Sequence, residues 1–373
     1  MILILTSESF PDGMAATHRI RCYARALVSA GLDCEVAVFR PWEQLPEGFS
    51  NQGIYEGVPY RTVLDAEEYV RQTLGKGDVL FLYMGKPLDL MLRLIRAAKD
   101  CGAFAVRDLC ELPYGTGKES WKTYISRKCL LFRQFPKLDG IVCISDALMD
   151  LARRYSGRHT KLIKVPILVD FDSYRIDSFQ EAVPPYIFHS GTFLERKDGI
   201  LGMIEAFGLA VPRLAPGVRY VMAGDLDSSP QKEAVCQLIS EYNLGDRVTF
   251  TGRLGDSEVR SFLMEASLTI LNKHPNSQNM YGFSTKLGEY LASARPVLMT
   301  DVGEAMNWLE DGKSAYIVRH GDVQALSDGI VKALSNDEER RRIALNGREV
   351  AARSFDYKVW GRPLAEFLSS LGK

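Results

Sequence analysis

Tyr186-Ile187-Phe188-His189-Ser190, continued by Gly191-Thr192-Phe193-Leu194-Glu195-Arg196-Lys197-Asp198-Gly199, is the stretch on which the reading of this chain turns. Its first five residues are a short apolar run, which suits a strand buried on both faces of a parallel sheet. A turn follows, and then a helical pattern over Ile200–Leu209. Strand, turn and helix in this order build doubly wound α/β domains.

The same alternation extends in both directions. Downstream, the runs Tyr220–Ala223, Val248–Thr251, Leu268–Leu271, Pro296–Thr300 and Ala315–Val318 are expected strands. Upstream lie Met1–Thr6, Cys34–Phe39, Asp78–Tyr83, Ala103–Arg107 and Gly140–Ile144. Helical patterns fall between them. In His18–Ala30, Ile20, Tyr23, Ala24, Leu27 and Ala30 share one face, and Gly31 stops the helix. Two strand sets imply two Rossmann-like domains. The polar stretch Asp170–Pro185 separates them, giving expected domains of residues 1–172 and 173–354. A two-lobed α/β protein is expected to bind its ligand in a cleft, at the C-terminal ends of the strands.

Composition excludes several classes. The 373 residues are 46% apolar and 25% charged, an ordinary globular mix, so no disordered, collagen-like or coiled-coil chain is expected. A net charge of −1 argues against nucleic acid as the main partner. The seven scattered cysteines read as reduced, buried thiols of a cytosolic protein. The N-terminus lacks the basic segment of a signal peptide, and no apolar run approaches the roughly twenty residues of a membrane helix.

Three segments can carry chemistry. Gly282-Phe283-Ser284-Thr285-Lys286-Leu287-Gly288-Glu289-Tyr290-Leu291 reads as a loop opening into a helix, with Ser284 as N-cap. Backbone N–H groups, two hydroxyls and Lys286 would make it a phosphate seat. Glu289, a turn later, would accept hydrogen bonds from a ribose diol. An ordinary capped surface helix fits the same residues. Gly191–Gly199 occupies the topological position of a phosphate-binding turn, where Arg196 and Lys197 supply charge-assisted bonds. A solvated basic loop is the alternative. Ser9–Arg19, with Gly13 at its centre, leaves room for a substrate against the backbone, or is a plain strand-to-helix turn. The triplets Asp170-Phe171-Asp172 and Asp225-Leu226-Asp227 read as linker and helix-capping turn rather than metal ligands.

Together these segments resemble a bacterial retaining glycosyltransferase of the large family four type, with the GT-B fold, over about residues 1–372. The matching stretches are Pro11–Arg19, Arg107-Asp108-Leu109, Val142–Leu148, Gly191–Gly199, Gly252-Arg253 and Gly282–Val297. The resemblance implies that the last helices, about 355–373, cross back to the first domain. It also implies donor contacts by Gly13, Gly191, Thr192, Arg196, Arg253, Tyr281, Gly282, Phe283, Ser284, Thr285 and Glu289. Lys197 and Lys286 become the catalytic cations, and Arg19, Arg107, Asp108 and Glu111 the acceptor side. Three positions depart from the pattern: Thr192 stands for an arginine, Tyr281 for a glutamate and Arg107 for a histidine.

The resulting expectation is a hexosyltransferase-like enzyme of surface polysaccharide biosynthesis. It would move a sugar from a nucleotide-diphosphate sugar to a glycan or lipid-linked acceptor, with retention and without metal or other cofactor. It would be cytoplasmic and peripheral at the inner face of the plasma membrane. From Arg107 to Lys164 there are twelve Lys/Arg against six Asp/Glu. Lys118, Lys122, Arg127, Lys128, Arg133 and Lys137 there interleave with Trp121, Tyr124, Ile125, Leu130, Leu131, Phe132 and Phe135, a pattern for an anionic membrane surface or for a docked helix with a solvated face. A GT-B-type sugar epimerase or inverting transferase is the alternative enzyme. A non-catalytic nucleotide-sugar binding protein is the alternative from another class.

Overall fold

The computed structural model describes residues 1–39, 52–84, 88–114, 120–176 and 181–372. The chain divides into two compact units. Unit 1 comprises Met1–Val169, Tyr281–Phe283 and Phe355–Lys373; unit 2 comprises Asp170–Met280 and Ser284–Ser354.

Unit 1 is built on an eight-stranded sheet. Its strands are β1 (Ile2–Thr6), β2 (Cys34–Phe39), β3 (Gln52–Tyr55), β4 (Val58–Val63), β5 (Val79–Tyr83), β6 (Phe104–Leu109), β7 (Gly140–Cys143) and β8 (Lys161–Lys164). The order is β3-β4-β2-β1-β5-β6-β7-β8. All pairings are parallel except the β3–β4 hairpin. One face is covered by the helices Ala15–Ser29 and Gly361–Ser370. Ile20, Tyr23 and Leu27 from the first, and Leu364, Phe367 and Leu368 from the second, pack on Ile4, Val36, Phe81 and Val106. Each fully buried side chain of this kind contributes roughly 1.5–3 kcal/mol. Helix Ala15–Ser29 starts a turn before the expected His18, and Ala30 is exposed at its end rather than on the buried face.

Unit 2 has six parallel strands: β9 (Tyr186–Ser190), β10 (Arg219–Ala223), β11 (Val248–Phe250), β12 (Leu268–Leu271), β13 (Val297–Thr300) and β14 (Tyr316–Val318). Their order is β11-β10-β9-β12-β13-β14. Numbered within the unit this is the 3-2-1-4-5-6 order of a Rossmann sheet, whose direction reverses between β9 and β12. Helices Ile200–Ala210 and Val323–Ser335 supply Met203, Ile204, Phe207, Leu326 and Ile330 to its core.

Two readings of the sequence need correction. All seven cysteines are free, but only Cys22, Cys34 and Cys143 are buried, and Cys129 and Cys236 are exposed. The polar turn after β10 is closed by Asp225, which accepts from the Ser228 N–H and hydroxyl. It is not the N-cap of the next helix, which begins at Lys232.

Candidate functional site

The strands β9 and β12 lie side by side at the point where the order of sheet 2 reverses, and ligands of open α/β sheets bind beyond the strand ends there. The turn after β9 contains one helical turn, Glu195–Asp198. It ends in Asp198, whose side chain is fully enclosed. One oxygen of that carboxylate receives the Lys286 ammonium at 2.5 Å and faces the Lys273 ammonium at 3.5 Å. The other accepts from the Thr192 N–H at 3.2 Å and the Thr192 hydroxyl at 3.3 Å. Burial works against the Asp198 charge, but Lys286 and Lys273 outweigh it and hold the carboxyl far below the usual range.

Lys273 follows β12 and is pinned by its backbone. Its N–H donates to the Thr300 hydroxyl at 2.8 Å, and its C=O accepts from the same hydroxyl at 2.9 Å. Its ammonium donates to the Lys197 carbonyl at 2.6 Å. Burial, followed by the Lys286 charge, lowers the Lys273 pKa to about 7. His189, at the end of β9, is completely buried. Burial and Lys286 lower its pKa to about 3, so it is neutral at physiological pH. Its Nδ1 is 2.9 Å from the Ile270 carbonyl, and its Nε2 has no hydrogen-bond partner. Gly191 closes the group. A Cβ there would lie 2.8 Å from His189 Nε2, 2.8 Å from Lys286 Nζ and 2.9 Å from an Asp198 oxygen, so no other residue fits without displacing them.

The expected donor residues divide. Gly191, Thr192 and Lys286 meet at Asp198, and Lys197 and Arg196 border it. The Arg196 guanidinium donates to the Ser277 hydroxyl at 3.1 Å. Lys197 is half-buried. Ser284 occupies the N-cap position of the helix Thr285–Ala292 but makes no side-chain capping bond. Glu289 is half-buried on that helix. Gly282 and Phe283 fall outside unit 2. With Tyr281 they pack with unit 1, where the Phe283 ring meets Phe355 at 5.5 Å. Arg253 is strongly exposed and 3.7 Å from Asp225 on the surface.

In unit 1, Gly13 sits just before the helix Ala15–Ser29, and Glu111 is exposed after β6. Arg19 and Asp108 form a buried ion pair. Arg19 also donates to the Val165 carbonyl at 2.9 Å, the Pro166 carbonyl at 2.5 Å and the Tyr23 hydroxyl. The Tyr23 hydroxyl donates to Asp108 at 2.5 Å. These groups are bonded to one another inside the unit. Arg107 points to the other face of the sheet, beneath the helix Trp121–Gln134, where it donates to Gln134. Burial lowers its pKa to about 10.

Lys273, Asp198 and His189 escaped the reading of the sequence. The only signal for Lys273 is its place two residues after the apolar run of β12. Among the described residues no group of three or more His, Cys, Asp or Glu side chains is placed to hold a metal ion.

Residues 171–350 match the family described as Glycosyl transferases group 1. The chain has the GT-B fold, and residues 171–350 are its glycosyltransferase group 1 region. This glycosyltransferase is 26% identical over 336 residues to a phosphatidyl-myo-inositol mannosyltransferase of Mycobacterium tuberculosis, covering 86% of this chain and 83% of the relative. It is 26% identical over 188 residues to an alpha-D-kanosaminyltransferase of Streptomyces kanamyceticus, covering 50% of this chain but only 46% of that protein. In fold it is similar to Anabaena Alr3699/HepE, solved in complex with UDP and glucose. The TM-score is 0.73 at 18% identity, with both chains fully covered.

Proposed function

We propose that this glycosyltransferase moves a sugar from a nucleotide-diphosphate sugar to a glycan or lipid-linked acceptor, with retention, in surface polysaccharide assembly. The observation that carries the reading is the excess of positive charge beyond β9 and β12. There Lys273 and Lys286 share the single carboxylate of Asp198, and Lys197 stands next to it. A departing diphosphate needs fixed positive potential at the place where its charge grows. Gly191 lets that group approach the backbone, and the helix beginning at Thr285 adds its N-terminal dipole.

In the proposed reaction the bond from the anomeric carbon to the diphosphate oxygen breaks first, leaving an oxocarbenium-like sugar. The acceptor hydroxyl attacks from the face the diphosphate leaves, and its proton passes to a diphosphate oxygen. Lys197 and Lys286 stabilise the leaving group, so no metal is needed. Glu289 holds the ribose. Turnover with a panel of nucleotide sugars tests this. Expected are release of a nucleoside diphosphate, a product of unchanged anomeric configuration, and full activity in EDTA. A nucleotide-sugar-dependent rise in melting temperature without turnover would instead favour a binding protein. A product of opposite configuration would favour an inverting enzyme.

The enzyme works at the cytoplasmic face of the membrane in this reading. The support is the helix Trp121–Gln134, which exposes 70% of Trp121, 57% of Tyr124, 49% of Ile125 and 64% of Phe132, with exposed Lys122 and Arg133 beside them. Aromatic and basic side chains on one exposed helix suit an anionic lipid surface. Two of the expected cations are engaged elsewhere: Arg127 donates to the Pro113 and Tyr114 carbonyls, and Lys128 to Tyr155. Lys118 lies outside the described residues. No helix among the described residues is long and apolar enough to cross a membrane.

A further inference from the structure

Two ammonium groups converge on one oxygen of Asp198, and they are not equivalent. Lys286 holds the short contact at 2.5 Å, while Lys273 stands off at 3.5 Å and gives a hydrogen bond to the Lys197 carbonyl. Lys273 is anchored on both sides of its backbone by Thr300, and its side chain is 11% exposed. Lys286 sits in the first turn of the helix Thr285–Ala292, and its side chain is 17% exposed. Lys286 is therefore the cation that can turn outward, and Lys273 is the one that stays.

We propose that Lys273 is a positioning residue: it takes over the Asp198 carboxylate when Lys286 turns to the donor's diphosphate, so that donor binding takes up a proton. This rests on the donor reading given above. A buried carboxylate stripped of its partner is strongly destabilising. Lys273 is the other cation in contact with it.

The charged and titratable groups facing Lys273 are Asp198 and Lys197 from the turn after β9, Lys286 from its helix, and His189 from β9. His189 is neutral and adds no charge. As the site stands, burial and Lys286 place the Lys273 titration near pH 7. With Lys286 drawn off and a diphosphate nearby, both changes favour the ammonium form and raise that titration point. The sign follows from linkage. A group whose pKa is higher in the bound state takes up protons on binding between the two values. Affinity is then fullest below about pH 7 and falls as pH rises toward the bound-state value, by up to about tenfold per pH unit.

Titration calorimetry with UDP between pH 7.5 and 9 tests this, because a terminal phosphate with its second pKa near 6 is fully ionised there. Running it in two buffers of different ionisation enthalpy counts the protons. The wild-type enzyme should take up a fraction of a proton approaching one, and its affinity should fall several-fold per pH unit. Lys273→Arg, charged throughout this range, should bind with a flat pH profile and no uptake. Lys273→Met should bind at least tenfold more weakly and without uptake. If the methionine variant does not fold, the arginine variant still decides. UDP binding by the wild type without proton uptake overturns the proposal alone, as does an arginine variant that keeps the wild-type pH slope. Failure of UDP, ADP, GDP and CDP alike to bind overturns the donor reading and this proposal with it.

Discussion

Arg19 lies along the carboxylate of Asp108, with Nη2 at 3.2 Å from one oxygen and Nε at 3.4 Å from the other, and water reaches neither side chain. The pair joins the first helix to the sheet, and Arg19 ties both to the chain segment at Val165 and Pro166. Breaking a buried pair by removing one partner leaves an uncompensated charge, at a cost of about 3–5 kcal/mol. Asp108→Ala should therefore lower the stability of unit 1 by about that amount in urea denaturation. The fraction that remains folded should keep a near-normal KM for the donor. A stable variant with a raised acceptor KM would restore Asp108 to the acceptor side.

Gly191→Ala probes the donor site without changing charge. The new methyl group would fall within 3 Å of His189, Lys286 and Asp198, and close-packed polar groups cannot yield without breaking their own bonds. Overpacking costs about 1–3 kcal/mol, so donor kcat/KM should fall by about five- to 150-fold. Gly245→Ala is the control, since a Cβ there meets nothing within 4 Å. Equal behaviour of the two variants in a donor assay would remove Gly191 from the site.

Much of this architecture could be read from the sequence, because buried parallel strands leave apolar runs. Each of the six runs expected in unit 2 contains a strand. The strands that went unread are those without such a signal. Val58–Val63 contains Pro59 and Arg61 and is only partly buried, and Lys161–Lys164 is an edge strand of half-buried residues. The candidate site was less legible. Lys273 and Asp198 are 75 positions apart and meet only because β9 and β12 are neighbours. Asp198 also follows Arg196 and Lys197, so the turn reads as simply basic, although its carboxylate organises the lysines. The burial of the Phe283 ring against Phe355 is not legible either, because a Gly-Phe-Ser loop before a helix reads the same whether its ring is exposed or buried.

The exposed face of Trp121–Gln134 makes a prediction about membranes. Each basic residue near an anionic surface adds about 1 kcal/mol, and this term is screened by salt. In flotation at low salt the enzyme should rise with anionic vesicles and not with neutral ones. The double variant Trp121→Ser, Phe132→Ser should float at least tenfold less, with a melting temperature lowered only slightly, because both side chains are largely exposed and Phe132 gives up one edge contact with Tyr155. Equal flotation with neutral and anionic vesicles would count against the surface.

Lys197 and Lys286 separate charge used for structure from charge used for catalysis. Lys286→Ala leaves Asp198 with the longer Lys273 ion pair and the two Thr192 hydrogen bonds, so this variant should melt at a lower temperature as well as lose activity. Lys197 has no such structural role, because its side chain makes no hydrogen bond or ion pair among the described residues. Lys197→Ala should therefore keep the wild-type melting temperature. Hydrogen bonds to charged groups are worth about 1.5–3 kcal/mol, and charge on the diphosphate grows as the sugar leaves. At the upper end of that range, kcat/KM falls more than a hundredfold, with much of the loss in kcat. Glu289→Gln should behave differently. The ribose is held alike in ground and transition states, so the loss should appear mainly in KM. Steady-state kinetics on variants shown to be folded by circular dichroism would distinguish these patterns. Folded Lys197→Ala and Lys286→Ala enzymes that both kept normal donor kinetics would move the diphosphate away from Asp198 altogether.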